Sequence, residues 1–356
     1  MDLKLNNIKH NSKKNFKFIF LLNIKRFRLI DEDDSDYKNE RKIYENVLKI
    51  FDIERVVIEK FTIDGAYEDQ SNLNKLMQIF KNSHGETIEI SINARDFEFA
   101  EKLANSKLDL FLGFFSFMRY RFLKRIDFND DKPIDKINAK SCIVLEGDKL
   151  IYPYLKYVPE RTLDSIRNEV NEVRFTNSID LKIRYNLSYF EHYIELMKET
   201  KNDKSKKKLW KCLTEFLRLY YDACTEKNLP YAFLKFWMIG ETIIKKISGK
   251  IKDENLLKRL EQVFKVFHND KFIRNRFKFL YLRRNELVHE GNFEQITYVD
   301  RNLAKIIADS VLLFYISYMN DLNNLAEYDF LIQNMNKSDN EIDRYSLVLK
   351  IISKNR

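Results

Sequence analysis

Three residues in the last third of the chain have side chains suited to phosphate chemistry: Arg284, Asn285 and His289. A guanidinium can hold a phosphate through two parallel hydrogen bonds. An imidazole titrates near neutral pH and can take up or release a proton. Together with an amide, these groups suffice to cleave RNA by attack of its own 2′-hydroxyl, without a metal ion. On spacing alone, a solvated basic helix face with a structural histidine is the simpler interpretation.

The residues before this group form a basic segment that is rich in aromatic side chains. The window Lys271–Arg284 contains six basic residues and no acidic one. Helical spacing places Arg284 in an otherwise apolar stripe, where a guanidinium needs a partner or a function. Lys278, Tyr281 and Arg283 are candidates to contact an RNA backbone or to stack on a base. The alternative for each of these three residues is a solvated basic face.

The composition argues against several nucleotide-dependent and metal-dependent classes. The chain has 356 residues with only 7 Gly and 4 Pro, and it contains no GxxxxGK[ST], GxGxxG, GxSxG or HExxH motif. Glycine-rich loops that cradle phosphates are therefore scarcely available. The histidines and cysteines lack the spacing of a metal site, so we expect neither a metal ion nor a cofactor. The net charge of +9 permits a polyanionic partner without proving one.

Cysteine content and hydropathy favour the cytoplasm. Three cysteines without a CxxC pair argue against a disulfide framework and fit a reducing compartment. No apolar run reaches the roughly 18 residues of a transmembrane helix. The apolar segment 16–24 is short and lacks a small-residue cleavage site, so a strand explains it better than a signal peptide. We therefore expect a cytoplasmic protein that does not associate with membranes.

The periodicity of apolar residues changes after about Pro159. Before it, helix patterns alternate with strand patterns, and the strand patterns lie at 16–24, 55–63, 87–93 and, as a hairpin, 141–154. The acidic run 31–36 indicates a loop. After Pro159, helical spacing predominates. The sequence thus predicts an α+β fold, with a mixed domain over 1–165 and an all-α domain over 166–356.

The motif Arg284-Asn285-Glu286-Leu287-Val288-His289 resembles the RxxxxH signature of HEPN domains. The helix 233–241 carries aromatic residues and Glu241, and it is similar to the corresponding helix of the ApeA-like HEPN group. The resemblance covers about residues 180–325, which all show helical patterns in the expected order. A mixed domain ahead of a carboxy-terminal HEPN module also resembles the layout of larger defence-associated members. On that resemblance, the domain over 1–165 would sense a trigger or restrain the nuclease.

The resemblance implies a metal-independent endoribonuclease that acts as a homodimer through its helical domain. Two motifs would face each other across one composite cleft and leave a 2′,3′-cyclic phosphate and a 5′-hydroxyl. Arg284 would hold the scissile phosphate and His289 would transfer protons. Asn285 would orient the histidine or the phosphate. Glu241 would pair with Arg284, or else be a surface glutamate on an amphipathic helix. The substrate would be RNA, with transfer RNA as one candidate, in anti-phage defence or a toxin-like stress response.

Two other interpretations of the sequence stay open. The helical domain would be a catalytically silent HEPN module that binds RNA or a protein, because intact motif residues do not guarantee an assembled cleft. Alternatively, the chain would be a general basic RNA-binding protein in which the RxxxxH match is accidental.

Overall fold

The computed structural model describes residues 13–25, 35–57, 70–121, 134, 137–147, 149–152, 162–172, 187–267, 271–291, 293 and 295–354. It has an α+β fold whose carboxy-terminal part is helical, as the sequence predicts. The described residues form two compact units, one containing 13–121 and 137–194 and the other containing residue 134 and those from 195 onward.

The first unit is built on a five-stranded antiparallel sheet with the strand order β2-β3-β1-β4-β5. Its strands are β1 (Lys14–Lys25), β2 (Glu54–Arg55), β3 (Gly85–Ala94), β4 (Ala139–Glu146) and β5 (Lys149–Tyr152). The central strand β1 pairs with β3 and β4, with Phe18 opposite Ile90 and Val144. Both faces of β1 are covered, which explains why its middle is apolar without the alternation of a half-exposed strand.

Four helices cover the two faces of this sheet: α1 (Ser35–Ile50), α2 (Gln70–Asn82), α3 (Phe97–Arg121) and α4 (Leu163–Asn171). On one face, Ile19 and Leu21 of β1 share a buried cluster with side chains of α2 and α4. On the other face, the ring of Phe97 in α3 stacks on Phe18 with centroids 6.2 Å apart. Helix α1 packs on α3 through Tyr44, whose ring meets Phe111 edge to face.

Two local predictions for the first unit need correction. Ser35 and Asp36 begin α1 instead of belonging to a loop, while 31–34 lie outside the described residues. The strand predicted for 55–63 is a strand only at Arg55, with Val56 and Val57 irregular and 58–63 outside the described residues. The predicted hairpin is present as β4 and β5, and Gly147 at its turn has a φ of +58°.

The second unit is helical. It contains the end of α5 (Leu187–Asn202), followed by α6 (Lys207–Thr225), α7 (Leu229–Ser248), α8 (Asp253–Phe267), α9 (Lys271–Asn285), α10 (Tyr298–Ser317), α11 (Leu325–Asn334) and α12 (Asp339–Lys354). Helices α7 and α10 pack closely at its centre. Gly240 of α7 faces α8, where a Cβ would lie only 3.2 Å from Leu260, whereas its distance of 3.6 Å from Ile307 of α10 would be an ordinary contact.

A buried polar cluster links α10 to α6. Lys305 is fully buried, and its ammonium lies 2.6 Å from a carboxylate oxygen of Asp309. The Tyr220 hydroxyl donates to the other Asp309 oxygen at 2.7 Å. Burial, followed by the nearby Asp309 charge, raises the pKa of Tyr220 well above its ordinary value, so the hydroxyl keeps its proton. This cluster fixes the mutual position of the two helices, since both of its buried charges have partners.

Candidate functional site around Arg284

Helix α7 presents Glu241 to the site. The helix begins at an Asn228 cap, whose side chain accepts from the Tyr231 amide, and it stops at Gly249 with a φ of +70°. Glu241 is 5% exposed and accepts a hydrogen bond from the Trp237 indole at 2.7 Å. It is therefore a buried carboxylate with a fixed orientation and not a surface glutamate.

Arg284 is held between Glu241 and its own neighbour in sequence. Its Nη2 lies 3.3 Å from Glu241 Oε2, and its Nη1 donates to Asn285 Oδ1 at 2.9 Å. The buried Nε has no hydrogen-bond partner among the described residues. A guanidinium has five N–H donors, and these contacts use two of them. Arg284, with 21% of its side chain exposed, thus keeps donors for a ligand while its orientation is fixed.

Lys245 changes the charge balance around Glu241. Its ammonium lies 3.2 Å from the Glu241 oxygen that also contacts Arg284, one helical turn further along α7. Two cations therefore share one carboxylate, and the cluster of Lys245, Arg284 and Glu241 carries one net positive charge. Because the Lys245 side chain is 45% exposed, this excess charge lies toward solvent, where an anion can reach it.

Tyr281, one helical turn before Asn285, connects α9 to the start of α8. The Tyr281 hydroxyl donates to Asp253 Oδ2 at 2.6 Å. That bond to a carboxylate raises the pKa of Tyr281, and the nearby Asn285 side chain opposes the rise. The Tyr281 ring packs beside Trp237, with centroids 6.4 Å apart. The hydroxyl and the ring of Tyr281 are thus both engaged within the second unit.

The helix that carries the motif changes form after Asn285. The sequence predicts one helix over 271–289, but Glu286–Glu290 form a π-helical turn. The Gly291 amide donates to the Glu286 carbonyl, five residues earlier, and Gly291 takes the left-handed conformation that glycine adopts without strain. Leu287 is buried in the second unit, whereas His289 is exposed.

The π turn alters the angle between Arg284 and His289. In a regular α-helix, residues five apart point about 140° away from each other. A π turn takes more residues per revolution, which reduces that angle and brings His289 toward the face of Arg284. An exposed imidazole thus lies closer to the face of an oriented guanidinium than a regular α-helix would place it, and two such groups can hold an anion and exchange a proton with it.

The other basic candidates are placed differently. The Arg283 guanidinium lies 4.8 Å from the centre of the Phe279 ring and donates to Gln295. It also lies 3.8 Å from Glu286. These contacts tie Arg283 to the segment after the π turn, with 22% of its side chain exposed. Lys278 is exposed on α9. The structure thus brings Arg284, Asn285 and Glu241 together in one bonded set. Tyr281 bonds Asp253 instead, and Lys278 and Arg283 also lie outside the set.

Trp237, Lys245 and Asp253 belong to the site and were not among the site residues predicted from the sequence. Trp237 and Lys245 lie four residues before and after Glu241, so helical spacing was a usable signal for both. Asp253 lies 28 residues before Tyr281, and only the packing of α8 against α9 brings them together. Sequence spacing held no signal for it.

Comparisons of the chain with protein-family models, with curated proteins and with solved structures found no match. Among the helices of the described residues, none has both the length and the apolar content needed to cross a bilayer.

Proposed function

We propose that the protein is a metal-independent, HEPN-type endoribonuclease that acts in the cytoplasm. The observation that carries this proposal is the pairing of Arg284 with Glu241 and Asn285, with an exposed His289 five residues later on the π turn. A guanidinium fixed in this way can bind a phosphate with its remaining donors and lose little entropy. The basic residues of 271–284 supply further attraction for a polyanion.

The chemistry needs only proton transfer and charge stabilisation. A base removes the proton of a 2′-hydroxyl, and the 2′-oxygen attacks the adjacent phosphorus. The bond to the 5′-oxygen of the next nucleotide breaks as that oxygen takes up a proton. The products are a 2′,3′-cyclic phosphate and a 5′-hydroxyl, and no water or electron is consumed. Arg284 stabilises the charge that develops on the phosphate oxygens, and His289 exchanges the protons.

The reaction needs a base and an acid at the same time, and one chain supplies one His289. Two copies that face each other would supply both, as the resemblance to HEPN domains implies. Leu282 and Val288, which are 49% and 46% exposed, lie close to the motif in sequence and offer apolar surface for such pairing. We therefore propose that the protein is a homodimer with a composite cleft. We also propose that its first unit binds an unidentified trigger, in anti-phage defence or a stress response.

A non-catalytic module that binds RNA or a protein is the alternative. One observation favours it: both terminal nitrogens of Arg284 already have partners inside the chain. In that case, the Arg284–Glu241 pair would hold α9 against α7, and the exposed cations alone would bind a ligand.

The test is RNA cleavage in the presence of EDTA. Purified wild-type protein is incubated with total RNA and with transfer RNA, beside Arg284→Ala and His289→Ala. We expect cleavage by the wild type that survives chelation, and a fall in rate by about 10²–10⁴ in each variant, the size of a lost acid-base or charge-stabilising group. Mapping of product ends should find 2′,3′-cyclic phosphates.

Two controls separate chemistry from folding and from latency. His192→Ala removes an exposed histidine of α5 and should leave the rate unchanged. Circular dichroism should show the same fold in all variants. Because an enzyme that waits for a trigger would be inactive in vitro, toxicity on expression is measured in parallel. Binding without cleavage, together with no toxicity, supports the non-catalytic module and contradicts the nuclease.

A further inference from the structure

Two exposed aromatic rings lie against each other just beyond the π turn. Phe293, two residues after Gly291, meets Tyr231 of α7 edge to face, with ring centroids 5.6 Å apart. Phe293 is 42% exposed and Tyr231 is 45% exposed. We propose that this aromatic pair stacks on one unpaired base of the RNA, close to the scissile phosphate. This inference rests on the proposed ribonuclease function and identifies its substrate as single-stranded RNA.

The backbone after the π turn fixes the position of Phe293. Its amide donates to the Gly291 carbonyl at 3.1 Å, and its ring lies against Gly291, with Cε2 3.9 Å from where a Cβ would be. Its carbonyl accepts from the amide of the buried Ile296 at 3.3 Å. An exposed ring that is already held in place binds a flat ligand with little further loss of entropy.

The aromatic pair is close to the groups of the proposed chemistry. Gly291, which the Phe293 ring contacts, comes two residues after His289, and Cα atoms two residues apart in a helix are separated by about 5 Å. Tyr231 lies ten residues before Glu241 on α7, about 15 Å along the helix. A strand of a few nucleotides can therefore contact the aromatic pair and Arg284 at the same time.

The angle between the two rings suits a base. Their planes are inclined by 78°, so the rings form a corner. A base that stacks on one ring can turn its edge to the face of the other, and both arrangements are favourable for aromatic groups. In a duplex, the faces of the bases are covered by their neighbours, whereas an unpaired base can be splayed out and stacked. The aromatic pair therefore selects for unpaired RNA and is tolerant of its sequence.

Tyr281 offers less surface for stacking than the aromatic pair does. Its ring lies beside the Trp237 indole, which is 1% exposed, and its hydroxyl donates to Asp253. Tyr281 itself is only partly exposed. The aromatic pair is uncharged, and the basic residues of 271–284 supply the attraction for the phosphates of the same strand.

Binding of an RNA that cannot be cut tests the stacking site. The probe is a short, fluorescently labelled single strand with 2′-O-methyl groups, which block attack by the 2′-oxygen. We expect Phe293→Leu and Tyr231→Leu, which each remove a ring and keep an apolar side chain, to raise Kd about tenfold, the lower part of the range for one stacked base. Phe293→Tyr keeps an aromatic face and should bind like the wild type. So should the matched control Phe330→Leu, at an aromatic residue of α11 that is 60% exposed.

Probes that each lack one base separate stacking from a general apolar contact. At one position near the mapped cleavage site, loss of the base should weaken binding to the wild type about tenfold and leave binding to Phe293→Leu unchanged, because ring and base form one contact. An unchanged Kd in Phe293→Leu, or equal losses in wild type and variant at every position, overturns the inference. A shift of Phe293→Leu toward monomer in sedimentation also overturns it, since the ring would then belong to a contact between two copies.

These measurements distinguish failure of the inference from failure of the proposed function. If the wild type cleaves RNA and the variants bind the probe normally, the nuclease stands and the stacking site is wrong. If the wild type shows the expected coupling between ring and base but cleaves no RNA and is not toxic, the nuclease is wrong and the stacking site stands. A wild type that binds no single-stranded RNA overturns both.

Discussion

Replacing Arg284 by lysine is expected to slow RNA cleavage by about 10²–10³, although the charge is kept. A lysine ammonium is a point charge with three donors and cannot contact Glu241, Asn285 and a phosphate in one plane. The Arg284 guanidinium contacts the first two at 3.3 and 2.9 Å. The measurement is the single-turnover rate at saturating RNA, so that weaker binding does not enter the result.

The control for this variant is Arg344→Lys, at an exposed arginine of α12. It should cleave RNA at the wild-type rate. Nearly full activity of Arg284→Lys would mean that positive charge is sufficient, and the fork geometry argued for Arg284 would then be wrong. A much lower melting temperature of Arg284→Lys would instead assign the guanidinium a structural role between α7 and α9.

Replacing Asp309 by alanine is expected to lower the free energy of unfolding by about 3–5 kcal/mol, the cost of removing one partner of a buried ion pair. Lys305 is 0% exposed and would lose the carboxylate that lies 2.6 Å from its ammonium. The Tyr220 hydroxyl would lose its acceptor at the same time. Urea denaturation followed by circular dichroism measures the change.

An apolar replacement of Lys305, Asp309 and Tyr220 together tests whether the loss of stability comes from leaving a buried charge without its partner. The triple variant Lys305→Met/Asp309→Leu/Tyr220→Phe removes both buried charges and the hydroxyl together, so it should lose far less stability than Asp309→Ala. Asp343→Ala, at an exposed carboxylate of α12, should change the free energy by less than about 0.5 kcal/mol. A comparably small effect of Asp309→Ala would show that Lys305 finds another partner or leaves the interior.

The parts of the fold that the sequence predicts are those with a simple periodicity. The run 16–24 is apolar on both faces because β1 is the central strand, and β3 alternates because one of its faces is partly open. Helix α1 escaped prediction since its first residues, Ser35 and Asp36, end an acidic run that is typical of a loop. Its buried apolar positions, such as Tyr44 and Val47, do recur at helical spacing and were a usable signal for the helix.

The residues of the candidate site also fall into those that the sequence shows and those that only the packing reveals. Arg284, Asn285 and His289 are neighbours in sequence, so their types and spacing are visible without a structure. The pairing of Glu241 with Arg284 joins two helices, so the sequence alone allows either this pair or a surface glutamate. The packing of α7 shows the pair. Asp253 could not be found, because an exposed aspartate at a helix start is usually explained by the helix dipole alone.

The π turn explains the number of residues that lie between Arg284 and His289. In an uninterrupted helix, two side chains share a face when they are four positions apart. Four residues separate Arg284 from His289, which makes the interval five. The extra residue is the one that the π turn accommodates, so it behaves as an insertion that the helix has absorbed. The spacing between Arg284 and His289 therefore reflects the number of residues per turn in this part of the helix. In an unbroken α-helix, the same two groups would have to be one residue closer in sequence to share a face.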